Sequence, residues 1–265
     1  QKALGIPVEE NVKLANATNP NIETIRKSMI PTQLCQVKSN TGFAPDFGIF
    51  EIGRVVDGLN SDNKCNEKKM LAITLFSKTK NIRELYIGLR DMLAVIADDL
   101  KHKELTFEET AAVHSYEHPV NLNKIILDGT TIGTMAIAHP VVSKKIDKKA
   151  NIVFAEIDVN KLASVSSAGI AYSEPSKFPT MTYDLSLILG KDMYFGKLKQ
   201  CWTSVDCDIL KNTKIVDTYD TELIHSITVR FEFSSNERTL SMEEVQAVMD
   251  KVMENLKNAG VKLRA

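Results

Sequence analysis

The residues best suited to chemistry lie in two neighbouring segments, KIVDTYD (Lys214–Asp220) and HSITVRFEF (His225–Phe233). A period of two sets Asp217 and Tyr219 on one face of the first segment and Val216 and Thr218 on the other. In the second, Ile227, Val229, Phe231 and Phe233 alternate with Ser226, Thr228, Arg230 and Glu232. Such alternation belongs to a sheet packed on one side and wet on the other. With Val216 under the covering layer, Asp217 and Tyr219 share the wet face with Ser226, Thr228 and Arg230. An aromatic ring on an open sheet is a platform for an unpaired base. A carboxylate beside it accepts hydrogen bonds from the N–H donors of a guanine's Watson–Crick edge. Arg230 suits a phosphate, or an ion pair with Glu232 or Asp217.

Other candidates carry less. His114 and His118 have the i, i+4 spacing of zinc-binding histidines, but no H-E-x-x-H is present and Pro119 opposes a helix, so an exposed loop is expected and no metal site. His139-Pro140 reads as a turn. The lysines of SKKIDKKAN are interrupted by Asp147 and read as a solvated loop. No G-x-S-x-G, Walker loop or G-x-G-x-x-G occurs, so no catalytic residue is assigned. Cys35, Cys65, Cys201 and Cys207 form no C-x-x-C pair and are expected as free thiols in a reducing cytoplasm.

The elements that position Asp217 and Tyr219 can be read from the surrounding pattern. Leu185, Leu187 and Leu189 alternate in a first strand, and Phe195, Leu198, Trp202 and Val205 lie at helical spacing. The two segments above supply a second and third strand. Ser241 and Glu244 form a capping box, with Leu240 and Val245 as the hydrophobic staple, before a helix through Val248, Met249, Val252, Met253 and Leu256 that stops at Gly260. VKLRA closes with a short fourth strand. The order β-α-β-β-α-β is the ferredoxin-like split motif, with both helices on one face of the sheet.

Upstream of a polar linker, Tyr172-Ser173-Glu174-Pro175-Ser176, the pattern is also α+β, with an antiparallel sheet and flanking helices. FGIFEIGRVVD and KKMLAITLFSK are near-continuous apolar runs, expected as strands covered on both faces. NIRELYIGLRDMLAVIADDL places Ile82, Leu85, Leu89, Met92, Leu93, Ile96 and Leu100 on one helical stripe. Asp128-Gly129 supplies the turn of a hairpin in KIILDGTTIGTMAIA, and NIVFAEIDV adds a strand. Pro31 suits the first turn of a helix through Leu34 and Val37 to Gly42. Two domains are expected, 1–171 and 172–265.

At 265 residues, 43% apolar and 25% charged, the chain has the composition of a soluble globular protein. No apolar run approaches the roughly 20 residues of a membrane span, and QKALGIPVEENVKLAN has no signal-peptide core, so a cytoplasmic protein without a membrane partner is expected. Residues 173–265 carry 12 Lys and Arg against 14 Asp and Glu, which excludes the strong basic excess of an autonomous nucleic-acid binder. A nucleic-acid contact must be a local patch.

Three stretches together resemble the C-terminal part of the β subunit of bacterial phenylalanyl-tRNA synthetases. NPNIETIRKSMIP is similar to that family's N-P followed by L-R-T-S-L-L-P, with Asn19, Pro20, Arg26, Ser28 and Pro31 matching; Phe50-Glu51-Ile52-Gly53-Arg54-Val55 matches its F-E-I-G-R-V. Phe178-Pro179, Asp184-Leu185-Ser186, Val216-Asp217-Thr218-Tyr219, and Arg238-Thr239-Leu240 with Glu243-Glu244-Val245 follow its anticodon-binding module in order. The family commonly carries basic residues where this chain has Thr182 and Tyr183.

The resemblance implies a class II synthetase-like domain that has lost catalysis, followed by a ferredoxin-fold anticodon-binding domain. Neither the F-R-x-E of motif 2 nor the Gly-rich stretch ending in Arg of motif 3 occurs here, so no clamp for an adenylate is expected. It further implies an α subunit partner in an α2β2 ligase, with ATP and magnesium bound elsewhere in that enzyme and no cofactor on this chain. It also implies anticodon contacts of tRNA(Phe), whose first anticodon base is guanine, with Asp217, Tyr219 and Ser226. A stand-alone paralogue acting as a protein–protein or regulatory module is the other reading compatible with these residues.

Overall fold

The computed structural model describes residues 2–7, 11–19, 23–169, 174, 176–190, 193, 195–221 and 225–264. The chain forms two compact units, 1–170 and 171–265. Of the residues named above, Pro20, Tyr172, Ser173 and Pro175 lie outside the described residues.

In the first unit a 3₁₀ turn at Lys2–Leu4 precedes a short strand pair, β1 (Val12–Lys13) and β2 (Thr24–Ile25), and helix α1 (Ile30–Asn40). Then come β3 (Asp46–Leu59), β4 (Cys65–Ser77), α2 (Ile82–Lys101), β5 (Leu105–Glu109), β6 (Glu117–Leu127), β7 (Thr130–Ala138), α3 (Pro140–Ile146), β8 (Asn151–Asp158) and α4 (Val159–Ser164). Six strands pair antiparallel in the order β3-β4-β8-β7-β6-β5. On one side, α1 and α3 bring Leu34, Val37, Val142 and Ile146 onto Ala72, Phe76, Ala136 and Phe154. On the other, α2 lays Leu85, Leu89 and Leu93 over Ile125, Val153 and Ala155. The central strands are apolar on both faces because both faces are covered.

That expectation fails at the sheet edge. Phe50 and Ile52 of β3 are 75% and 57% exposed, because α2 rests on β8 and β4 and stops short of β3. The stripe on α2 is correspondingly wider than its cover, and Met92 and Leu100 point to solvent.

Three loop assignments also change. His118 and Pro119 lie in β6, where the register slips between Glu117 and Leu122 and His118 Nδ1 accepts from the N–H groups of Val120 and Asn121. His139 caps α3, its ring nitrogen accepting from Val141 N–H at 3.2 Å, and Pro140 takes the first helical position. The segment SKKI is therefore helix, with Ile146 buried and Asp147 paired to Lys78 at 2.9 Å. Helix α1 ends at Asn40, before Gly42. Asp128 and Gly129 adopt positive φ (51° and 73°), as the hairpin turn requires.

In the second unit β9 (Met181–Leu189), α5 (Phe195–Thr203), β10 (Leu210–Asp220), β11 (His225–Phe233), α6 (Met242–Asn258) and β12 (Lys262–Leu263) give an antiparallel sheet ordered β10-β11-β9-β12. Leu198 and Trp202 of α5 and Val245, Met249 and Val252 of α6 share one core with Leu187, Val229 and Phe231 of the sheet. Trp202 meets Phe231 edge to face at 5.5 Å. Both helices cover one face, which leaves the other open.

Helix α6 starts as its sequence dictates. Ser241 Oγ accepts from Glu244 N–H at 3.3 Å, and Glu244 accepts from Ser241 N–H at 2.9 Å. Arg238 grips the same carboxylate and, with Ser241 N–H, holds it down at about 2. Ser241→Ala is expected to lower stability by about 1 kcal/mol, read as a shift of the denaturant midpoint of the second unit's transition. An unmoved midpoint means the helix does not depend on this cap.

Candidate nucleic-acid interface

The open face of the second sheet is organised in cross-strand rows, because directly opposed residues of antiparallel strands point the same way. Tyr219 of β10 opposes Ser226 of β11, which opposes Ile188 of β9, which opposes Lys262 of β12. The next row is Asp217, Thr228 and Ser186, with the last two hydroxyls hydrogen-bonded at 2.9 Å. Beyond it lie Lys214, Arg230 and Asp184. Asp217 and Tyr219 thus occupy the open face together, two residues apart along an edge strand.

The route to that arrangement differs from a regular strand. Ile215 opposes Val229 on the helix side, and the next pair is Asp217 with Thr228, so Val216 is the extra residue of a β-bulge. Val216 is not packed under the helices as expected; it is 39% exposed. The bulge resets the alternation. It puts Lys214 on the same face as Asp217, which an unbroken period of two forbids.

The four sequence-read residues are not equally available. Tyr219 is 46% exposed, and among the described residues the Asp217 carboxylate makes no hydrogen bond or ion pair. Ser226 is only 5% exposed, contrary to the wet position expected. Arg230 pairs with neither Glu232 nor Asp217. It makes a two-pronged ion pair with Asp184 at 2.8 and 2.7 Å, because the register sets those residues opposite each other. The Arg230 guanidinium holds the Asp184 carboxyl below the ordinary carboxylate range. Glu232 is held by Lys214 at 2.5 Å.

The residue that sequence reasoning missed is Arg264. Its backbone N–H donates to Ser186 C=O at 2.8 Å, which fixes it just beyond β12 on the open face. Its guanidinium carbon lies 4.6 Å from the Tyr219 ring centroid, and Nη1 donates to Ser226 Oγ at 3.1 Å. This is why Ser226 is buried. Only the pairing of the fourth strand brings Arg264 there. The signal was limited to a basic residue at the end of a short edge strand.

The first unit explains the two other quoted motifs. Arg26 pairs with Glu51 at 3.2 and 2.5 Å, and a Cβ on Gly53 would fall 2.5 Å from the Arg26 guanidinium. The glycine of F-E-I-G-R-V is thus the space that the arginine of the upstream motif fills. Ser28 Oγ and Met29 N–H donate to Glu156 at 2.8 and 2.7 Å, and burial pushes the Glu156 carboxyl up. The cleft beside Ser28 and Tyr116 holds about 120 Å³, below the roughly 300 Å³ at which small-molecule sites begin. Among the described residues no group of three or more His, Cys, Asp or Glu side chains is placed to hold a metal ion.

Two family models match these two units in order. Residues 3–159 match the CLM domain of the phenylalanyl-tRNA synthetase beta chain, and residues 176–264 match the ferredoxin-fold anticodon binding domain. The chain belongs to the phenylalanyl-tRNA synthetase β-chain family. It is 26% identical to the phenylalanine–tRNA ligase beta subunit of Bacillus subtilis (strain 168) over 97% of this chain and 34% of that protein. The corresponding subunit of Aquifex aeolicus (strain VF5) is 26% identical over 98% of this chain and 34% of its own length. The chain therefore spans about a third of the curated relatives it matches. A pyrrolysyl tRNA synthetase structure from Desulfitobacterium hafniense aligns with 60% of this chain and 55% of its own at TM-score 0.47 and 16% identity, too loose to argue from.

Within this β-chain family member, the second surface of note is the uncovered edge of the first sheet. Phe50 and Ile52 of β3 face Met92 and Val95 of α2 across a groove of about 740 Å³, floored by Leu71 and Ile73. Asp91 is the one charged residue on its lining. No described helix is long and apolar enough to cross a membrane.

Proposed function

We propose that the chain serves a phenylalanine–tRNA ligase as a non-catalytic part of its β subunit, with the open face of the second unit contacting the anticodon of tRNA(Phe). The observation that carries this is the pairing of an exposed Tyr219 with an unengaged Asp217 one row away on that face. The ring supplies a stacking plane, and the carboxylate accepts from the two N–H donors of a guanine edge. Ser226 offers a further hydroxyl beside the ring. Arg230 is held by Asp184, two rows from the ring, and ties β11 to β9. The apolar groove of the first unit supports the assembly role, with an α subunit as its occupant. ATP, magnesium and the aminoacylation chemistry belong to other parts of the α2β2 ligase.

The test is tRNA binding by the full-length subunit assembled with its α partner. Tyr219→Ala is expected to weaken binding of tRNA(Phe) by about 1–3 kcal/mol, the worth of one stacked base. Asp217→Asn is expected to narrow the preference for guanine over other first anticodon bases, because the amide keeps one acceptor only. Filter binding with matched and anticodon-altered tRNA reads both effects. Wild-type affinity in the Tyr219 variant sinks the reading.

A further inference from the structure

Arg264 covers both of the residues that a base would use first, the Tyr219 ring and the Ser226 hydroxyl. A cation in that position has three roles open to it: a structural clip, a clamp for a backbone phosphate, or one wall of the base site. The surroundings separate them.

A clip would be spent inside the fold, but Arg264 is exposed and lies at the margin of the open face. A phosphate clamp needs its donors turned outward. Here one donor is turned inward to Ser226, and the guanidinium carbon sits over the ring. Of the other cations of the face, Arg230 is neutralised by Asp184 and Lys214 by Glu232, and Lys262 stands at the far end of the row from Tyr219, on β12. Among the described residues Arg264 has no carboxylate partner. Its planar, weakly hydrated guanidinium is the cationic group that stacks on rings.

We propose that Arg264 completes the base site: in the free protein its guanidinium holds the place of an unpaired base over Tyr219, and in the complex it closes over the opposite face of that base. Two stacked layers at about 3.5 Å each need about 7 Å between the ring plane and the guanidinium plane. The guanidinium carbon is only 4.6 Å from the ring centroid, which leaves no room for a base between them, so Arg264 must lift as the base enters. Lifting breaks its bond to Ser226 and frees the Ser226 hydroxyl for the base at the same moment. The burial of Ser226 in the free protein and its place in the site are then one mechanism. The occupant is an unpaired nucleobase of RNA.

This inference rests on the anticodon reading of the open face, and the experiment separates the two. In the assembled full-length protein, tRNA(Phe) binding is compared for wild type, Tyr219→Ala, Arg264→Ala and Arg264→Lys across a salt series. Arg264→Ala is expected to weaken binding about tenfold or more, as loss of one stacking partner does. Arg264→Lys is expected to recover less than half of that loss on a logarithmic scale, since an ammonium keeps the charge without the plane. Recovery to wild type with lysine, or a salt slope lowered by about 1 in the alanine variant alone, identifies a phosphate contact and overturns the proposal. Unchanged or tighter binding in Arg264→Ala overturns it as well. If Tyr219→Ala binds like wild type, the anticodon reading itself has failed. A weakened Tyr219→Ala beside an unaffected Arg264→Ala removes only the present inference.

Discussion

Gly133→Ala is expected to cost more than about 3 kcal/mol and to leave the first unit largely unfolded at ordinary temperatures. Gly133 sits in β7 between Ile125 of β6 and Ile157 of β8, in the middle of the six-stranded sheet. A Cβ there would lie 2.2 Å from Glu156 C=O and 2.9 Å from Ile157 Cα. Both are backbone atoms of the neighbouring strand, so no side chain can swing aside. The strands must part, and the hydrogen bonds and two-sided packing of the sheet centre go with them. Circular dichroism through a thermal scan measures this. A melting temperature within a degree or two of wild type means that β7 and β8 are not this close.

The residue is a case of what the sequence makes legible. A glycine inside an apolar run announces a bulge or a close backbone approach, without saying what approaches. Local devices announce themselves completely. The Ser241–Glu244 box and the Asp128-Gly129 turn are decided by residues a few positions apart, and both stand where their chemistry puts them. Cover is another matter. FGIFEIGRVVD has the apolar content of a strand buried on both sides, yet whether a helix reaches the outermost strand depends on the placement of α2, eighty residues into the chain. His139-Pro140 reads as a turn and instead opens a helix for a related reason, since the outcome depends on what Val142 and Ile146 can bury.

The site shows the same division. The faces of Asp217 and Tyr219 followed from their spacing. The bulge at Val216 did not, because only the pairing with β11 reveals an extra residue. Arg230 had two plausible carboxylates nearby in sequence and took a third, Asp184, which lies 46 positions away and directly opposite in the sheet. Arg264 was invisible for the same cause. Its ring contact is made across the full width of the fold, from the fourth strand to the second.

The second large effect is expected at the apolar groove. Val95 is 59% exposed on α2, facing Phe50 and Ile52, and has almost nothing to lose in the isolated chain. Val95→Asp should shift that chain's own unfolding midpoint by no more than about 1 kcal/mol, a surface change plus the poorer helix propensity of Asp. In a complex that fills the groove with an apolar surface, the same carboxylate is buried among Phe50, Ile52, Leu71 and Met92, and the groove's own lining holds no cation to answer it. Such a charge costs at least about 3 kcal/mol, which weakens assembly more than 100-fold. The measurement is sedimentation of the full-length subunit mixed with the α subunit proposed as its partner, at a fixed concentration near the wild-type dissociation constant. The variant should sediment as separate subunits and fail to charge tRNA. Val113→Asp is the control, more exposed still at 84% and outside the groove, and should assemble as wild type does. If Val95→Asp forms the heterotetramer with undiminished affinity, the exposed side of β3 and α2 is not where the α subunit sits, and the assembly role must be sought on another face of the first unit.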